Sequence, residues 1–124
     1  MTAPRLTQLT LECADPHALA AFWRTVLDLP EATGDEDTVT LVWPPVGRLS
    51  FHRVPGHEPP VWPGRRGEPQ SHLDLLVEDL DEACALVESG GARPLTDVLD
   101  PGPKGWRVYA DPAGHPFCLV SVPE

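Results

Sequence analysis

The chain has 124 residues and a mass of 13.5 kDa, which suits one compact domain or two small repeated modules. Nine Lys and Arg against nineteen Asp and Glu give a formal net charge of −10. This acidity argues against a nucleic-acid backbone or an anionic membrane surface as a partner, because both require a basic face. It suits a cationic ligand, and it is also what an ordinary soluble acidic surface gives. The three cysteines are widely spaced and odd in number, which predicts no disulfide framework and a reduced, cytoplasmic protein.

The first half of the chain predicts a strand, a helix, a second strand and a hairpin. Apolar residues alternate in the segment QLTLECAD, residues 8–15, as in a half-buried strand. Asp15 can cap the following helix, Pro16 fits its first position, and Pro30 ends it. Extended sequence at 29–32 and a hairpin with strands at 38–43 and 49–54 complete a β-α-β-β-β module.

The second half repeats this order. The segment HLDLLVED, residues 72–79, matches the first strand at an offset of 64 residues, and Asp79 with Glu82 forms a capping box. A strand at 92–95 and a hairpin with strands at 106–110 and 117–122 follow, so that Phe51 matches Phe117. We therefore predict one domain, residues 1–124, made of two modules, 1–55 and 71–124, that are joined by a Pro-rich linker at 56–70.

Two β-α-β-β-β modules, a helix carrying Phe22-Trp23 and the segment DPAGHPFCL, residues 111–119, resemble the vicinal oxygen chelate superfamily. That superfamily includes glyoxalase I, bleomycin-resistance proteins and extradiol dioxygenases, and the likeness is closest to small glyoxalase-like proteins. The resemblance implies an α+β fold in which the sheets of two modules curl into an open cup. It also implies a homodimer, in which modules pair within one chain or between chains.

Strand alternation and the resemblance together indicate a binding cavity. Alternation turns the polar residues of both first strands away from the helices. The resemblance adds one residue from the last strand of each module, so that the candidate cavity residues are Gln8, Glu12, His52, His72, Asp74 and Cys118. The metal enzymes of the superfamily carry His on the first strand and Glu on the last strand of each module. This chain keeps only His72 of those four, so no catalytic metal is favoured. If a divalent metal is bound, its ligands are His52, His72 and Cys118, with Gln8 as a weak ligand.

Three tryptophans, Trp43, Trp62 and Trp106, are predicted to border the mouth of the cup, where indole rings can stack on a planar or cationic ligand. The preferred hypothesis is therefore a protein that binds a small cationic or aromatic molecule without a catalytic metal. The first alternative is a metal-dependent lyase, isomerase or dioxygenase of the glyoxalase type. The second is a metal-free enzyme that uses His72 or Asp74 for acid–base chemistry.

Overall fold

The computed structural model describes residues 3–44, 46–61, 71–98 and 105–121, and divides the chain into unit 1, which ends at Glu58, and unit 2, which begins at Pro59. Unit 1 contains β1 (Gln8–Cys13), α1 (Pro16–Leu27), β2 (Thr33–Gly34), β3 (Thr38–Trp43) and β4 (Gly47–Arg53). Unit 2 contains β5 (Leu73–Val77), α2 (Leu80–Ser89), β6 (Arg93–Pro94), β7 (Trp106–Ala110) and β8 (Pro116–Ser121). This order confirms the predicted α+β class and both β-α-β-β-β modules. Most of the predicted linker, residues 62–70, lies outside the described residues.

Both helices begin where the sequence predicts. The side chain of Asp15 accepts a hydrogen bond from the Ala18 N–H at 3.1 Å, and that of Asp79 accepts one from the Glu82 N–H at 3.1 Å. Each carboxylate satisfies a backbone donor that the first turn leaves without a partner. Helix α1 ends at Leu27 because Asp28 adopts a left-handed conformation, with φ of 52°. The following strand starts at Thr33, just beyond the predicted 29–32.

The two sheets have the same topology. Their strand orders are β1-β4-β3-β2 and β5-β8-β7-β6. In each sheet the first and last strands of the unit pair in parallel, and the other neighbouring strands pair antiparallel. A parallel pair needs a long crossover connection, which the helix and the following strands supply. Each helix packs on one face of its own sheet and leaves the other face for the candidate site residues.

The core of unit 1 lies between α1 and its sheet. Leu41, Leu49 and Phe51 are fully buried, and Trp23 of α1 is 1% exposed. The rings of Phe22 and Trp23 meet edge to face at 5.2 Å between centroids, a favoured aromatic geometry. The predicted helix stripe is therefore the face that packs on the sheet.

The core of unit 2 is built around Tyr109, which is fully buried on the helix side of its sheet. Its ring stacks on that of Phe117 at 5.8 Å, and its hydroxyl donates a hydrogen bond to Glu88 Oε2 at 2.8 Å. Burial, followed by hydrogen bonding with the side chains of Cys84 and Glu88, raises the pKa of Tyr109 far above its ordinary value. The hydroxyl thus ties α2 to β7 in its protonated form.

The turn between β7 and β8 is held by Asp111, which is 3% exposed. Its Oδ1 accepts hydrogen bonds from the backbone N–H groups of Ala113 and His115 at 3.0 and 2.9 Å. Gly114 has φ of +93°, and a Cβ atom there would lie 2.4 Å from Cβ of Pro59. Glycine is required at this position on both grounds. No helix among the described residues is long and apolar enough to cross a membrane.

Candidate functional site

The sheet face of unit 2 that points away from α2 carries its side chains in register across three strands. Asp74 of β5 lies opposite Cys118 of β8, which lies opposite Val108 of β7. One step along, Leu76 lies opposite Val120, and Val120 lies opposite Trp106. We call this second set, Leu76, Val120 and Trp106, the apolar row. The face therefore changes from polar to apolar along the strand direction.

A concave region of about 660 Å³ occupies this face. Its volume falls in the range of roughly 300–1,000 Å³ that is usual for small-molecule sites. Leu76 is 76% exposed and Trp106 is 36% exposed, so large apolar surfaces of the row are in contact with solvent. The lining residues are His72, Asp74, Leu75, Leu76, Trp106, Val108, Cys118 and Val120. We call this region the groove.

The polar end of the groove is formed by His72 and Asp74. The His72 Nε2 and Asp74 Oδ1 atoms are 3.3 Å apart, and their side chains are 33% and 64% exposed. At that exposure water screens the pair, and such surface pairs contribute only about 0–1 kcal/mol to stability. The Asp74 carboxylate thus remains open to a further partner in solution.

Cys118 lies in the floor of the groove and is 5% exposed. Burial raises the pKa of its thiol, and the negative charge of Asp74 raises it further. The Cys118 thiol therefore stays protonated at neutral pH. A protonated thiol is neither an effective nucleophile nor a good metal ligand.

The corresponding face of unit 1 is polar. Thr10 of β1, Ser50 of β4, Thr40 of β3 and Thr33 of β2 are in register across all four strands. The Ser50 hydroxyl, 2% exposed, lies 2.9 Å from that of Thr40 and donates a 3.5 Å hydrogen bond to Gln8 Oε1. These hydroxyl groups bond to one another, which is how buried polar groups on a sheet are accommodated.

The other predicted residues of unit 1 lie beside this row. His52 is directly opposite Glu12 and Thr38 in the sheet, and His52 Nδ1 lies 2.9 Å from the Thr38 hydroxyl oxygen. Gln8 Nε2 donates a 3.3 Å hydrogen bond to Thr10 Oγ1. Thus Gln8, Glu12 and His52 share one face of unit 1, as alternation predicts.

The tryptophans are placed differently. Trp106 is part of the groove, but Trp43 has the same strand parity as the buried residues Val39 and Leu41, and so belongs to the helix side of its sheet. Trp62 lies outside the described residues. Of the three predicted mouth residues, only Trp106 is seen on a candidate binding face.

The pairing register also changes one of the matches between the modules. The first strands of the two modules match at an offset of 64 residues, so Thr10 corresponds to Asp74. In the sheets Thr10 lies opposite Ser50, and Asp74 lies opposite Cys118. The residue of unit 1 that corresponds to Cys118 is therefore Ser50, and not His52 as the sequence match predicts. Both hairpins pair without a bulge, so every residue of the first hairpin corresponds to the residue 68 positions later in the second. Matching Phe51 with Phe117 implies an offset of 66 residues, which does not agree with this strand pairing. His52 corresponds to Val120 instead.

The donor atoms do not fit the divalent metal that this fold often holds. Among the described residues no three His, Cys, Asp or Glu side chains are grouped so as to hold a metal ion. In unit 2 the thiol of Cys118, one of the predicted ligands, is protonated at neutral pH.

Four groove residues, Leu75, Leu76, Val108 and Val120, are not among the site residues predicted from the sequence. Strand alternation turns Leu76 to the same face as His72 and Asp74, so the sequence does carry the signal for this residue. The two valines carry no distinguishing signal, since an apolar residue in a strand is usually core.

Comparison with known proteins identifies the family. Residues 8–120 match the family model described as glyoxalase-like domain, so the chain belongs to that family, within the vicinal oxygen chelate superfamily. No curated protein matches the sequence.

Several solved structures share the fold at low sequence identity. A glyoxalase/bleomycin resistance protein/dioxygenase family enzyme from Burkholderia phytofirmans PsJN is 13% identical with a TM-score of 0.75, over 97% of this chain and 100% of that one. A glyoxalase/dioxygenase from Nostoc punctiforme is 20% identical with a TM-score of 0.72, over 100% and 97%. The fosfomycin resistance protein FosX from Listeria monocytogenes is 13% identical with a TM-score of 0.70, over 98% and 96%. At these identities the likeness concerns the fold and not the activity.

Proposed function

We propose that the protein binds a small molecule with an aromatic or otherwise apolar body in the groove of unit 2, without a catalytic metal. The observation that carries the proposal is the exposed apolar row, which lies beside the single pair His72 and Asp74. Small-molecule sites typically combine such apolar walls with a few polar groups that orient the ligand. The row is open to solvent and needs no opening motion before a ligand binds.

Electrostatics favour a ligand that is neutral or cationic. The chain carries a net charge of −10, and Asp74 adds a solvent-exposed carboxylate inside the groove. Negative fields of this kind concentrate cations and repel anions. Some similar structures are named as bleomycin or fosfomycin resistance proteins, which supports a small molecule as the partner.

A neutral aromatic probe tests the proposal directly. We expect 2-naphthylmethanol to bind in isothermal titration calorimetry, and chelation of metals with EDTA to leave its affinity unchanged. Leu76→Ser should weaken binding about fivefold, since losing the burial of part of a leucine costs ~1 kcal/mol. Leu86→Ser is the matched control, because Leu86 is 41% exposed on α2, on the other side of the sheet.

Two results would contradict this function. Loss of binding in EDTA would restore the metal-dependent lyase, isomerase or dioxygenase hypothesis. Equal weakening by Leu76→Ser and Leu86→Ser would place the probe outside the groove.

A metal-free acid–base enzyme is the second candidate, and the 3.3 Å approach of His72 to Asp74 favours it. A carboxylate beside an imidazole can orient the ring and stabilise its charged form during proton transfer. Any turnover found in a substrate screen should then persist in EDTA and be lost in His72→Gln. Turnover that His72→Gln leaves intact would exclude this role.

We further propose that the protein is cytoplasmic, as its cysteine usage suggests, and a homodimer, as its family resemblance implies. Light scattering coupled to size-exclusion chromatography tests the assembly. A mass near twice 13.5 kDa is expected, and a mass near 13.5 kDa would contradict it.

A further inference from the structure

We infer that the ligand of the groove is an arylalkylammonium, a molecule whose cationic nitrogen is two or three methylene groups from an aromatic ring. This inference rests on the proposed function and names the ligand class for the same site. The inference comes from the distance along the strands between Asp74 and the apolar row. This distance sets how far the charged group of a ligand must lie from its apolar body.

The aromatic body is placed by the apolar row. Trp106, Val120 and Leu76 belong to three adjacent strands, and neighbouring strands are about 4.8 Å apart, so the row is roughly 10 Å wide. That width accommodates one or two fused rings lying over Val120, with the Trp106 indole on one side and Leu76 on the other. Aromatic rings gain from contact with an indole beyond the burial of their area.

The cationic group is placed by Asp74. Asp74 precedes Leu76 by two residues on β5, which is a distance of about 6.6 Å along the strand, and both side chains are on the groove face. A ring over Val120 is displaced by one strand from β5, so its centre lies about 8 Å from Asp74. Allowing for contact between the cation and the carboxylate, a spacer of two or three methylene groups fits this distance.

The sign of the charge follows from the groove lining. Asp74 is the one carboxylate among the lining residues, and its side chain is exposed to solvent, so it supplies the negative charge of the groove. A cation is attracted to this charge, and a carboxylate or sulfonate is repelled.

Matched probes test the inference at pH 8. Each carries a 2-naphthyl ring and a chain of zero to four methylene groups that ends in trimethylammonium, hydroxyl or sulfonate. We expect the ammonium series to bind most tightly with two or three methylenes, about two- to fivefold better than the alcohol of equal length, as an exposed ion pair allows. The alcohols should show no such maximum, and the sulfonates should bind most weakly.

Two variants locate the effect. Asp74→Asn should abolish both the cation preference and the length maximum, so that ammonium and alcohol probes of equal length bind with similar affinity. Asp81→Asn removes an equal charge from the first turn of α2 and should change neither. Asp74 is an exposed side chain, so its substitution is compatible with folding, and a melting curve verifies this.

The outcomes separate the two proposals. If the alcohols bind but the ammonium compounds show no advantage or no length maximum, the groove is a binding site and the arylalkylammonium inference fails. A maximum that survives in Asp74→Asn also overturns the inference. If no probe of any series binds, the proposed function fails as well.

Discussion

Alkaline pH is expected to destabilise the protein through its single tyrosine. Tyr109 is fully buried, and burial raises its pKa above the ordinary value of 10.0. The unfolded chain loses the tyrosine proton near pH 10, whereas the folded chain keeps it. A raised folded-state pKa gives stability that is fully present below pH 10 and is lost as the pH rises above it.

The magnitude follows from proton linkage. Above pH 10 the unfolded state binds one proton fewer at this position, so the free energy of unfolding falls by about 1.4 kcal/mol per pH unit. At pH 11.5 the loss reaches about 2 kcal/mol, a large share of the ~5–15 kcal/mol that stabilises small domains. Tyr109→Phe removes this dependence. The substitution also removes the hydrogen bond to Glu88, at a cost of about 1–2 kcal/mol at neutral pH.

Urea unfolding at several pH values between 8 and 11.5 measures these free energies for both proteins. Ultraviolet absorbance of tyrosinate, near 295 nm, reports ionisation of this one residue, and the Tyr109→Phe protein supplies the baseline. In the folded protein the absorbance should rise only with unfolding. A reversible rise centred near pH 10 in folded protein would refute the reasoning. An unchanged pH dependence of stability in Tyr109→Phe would do the same.

Three further substitutions test local features of the fold and the groove. Asp79→Ala should lower the free energy of unfolding by about 1 kcal/mol through loss of the helix cap, and Asp79→Ser should restore most of it. Gly114→Ala should lower the free energy of unfolding by several kcal/mol, because the new Cβ overlaps the ring of Pro59. Gly56→Ala is the control. A Cβ there has no atom within 4 Å, so this substitution should cost only about 1 kcal/mol, for the positive φ. Cys118 should react slowly with iodoacetamide at pH 8, and Asp74→Asn should speed that reaction about twofold by removing a charge that raises the thiol pKa.

Urea titration checks the first two results, and peptide mass spectrometry identifies the alkylated cysteine for the third. Equal stability of the Asp79 variants would show that the cap contributes nothing, and equal costs at Gly114 and Gly56 would show that the turn accommodates a Cβ. Fast alkylation of Cys118 in native protein would contradict its protonated, buried state.

The fold was predictable because its signals are local. The caps at Asp15 and Asp79 are short-range patterns, and the structure confirms both helix starts. Strand alternation likewise predicts that His72 and Asp74 lie on the sheet face opposite α2. The same alternation puts Trp43 on the face of the buried Leu41, which is the helix side. The prediction that Trp43 borders a cavity used its position at the end of a strand and not this alternation.

The remaining differences are long-range. Which residue of β8 faces Asp74 depends on a parallel register between strands about 40 residues apart, and no local pattern specifies it. Matching Phe51 with Phe117 shifts the alignment of the two hairpins by two residues. The match relies on the type of side chain, whereas the correspondence is set by the hydrogen-bonded pairing of the strands. The protonated state of Cys118 follows from burial together with Asp74, and both depend on the same register.

The parallel pairing of β5 with β8 has a consequence for the order of folding. The hairpin of β7 and β8 closes a short loop, whereas β5 must pair across about 40 residues, so the entropy of loop closure makes β5 the later strand to join. As an edge strand it is also expected to open more readily than the hairpin in the native protein. The groove takes Asp74 and Leu76 from β5 and Trp106 from the hairpin, so a molecule that contacts all three residues holds the edge strand closed. Such a molecule should therefore slow amide hydrogen exchange along β5 more than in the hairpin.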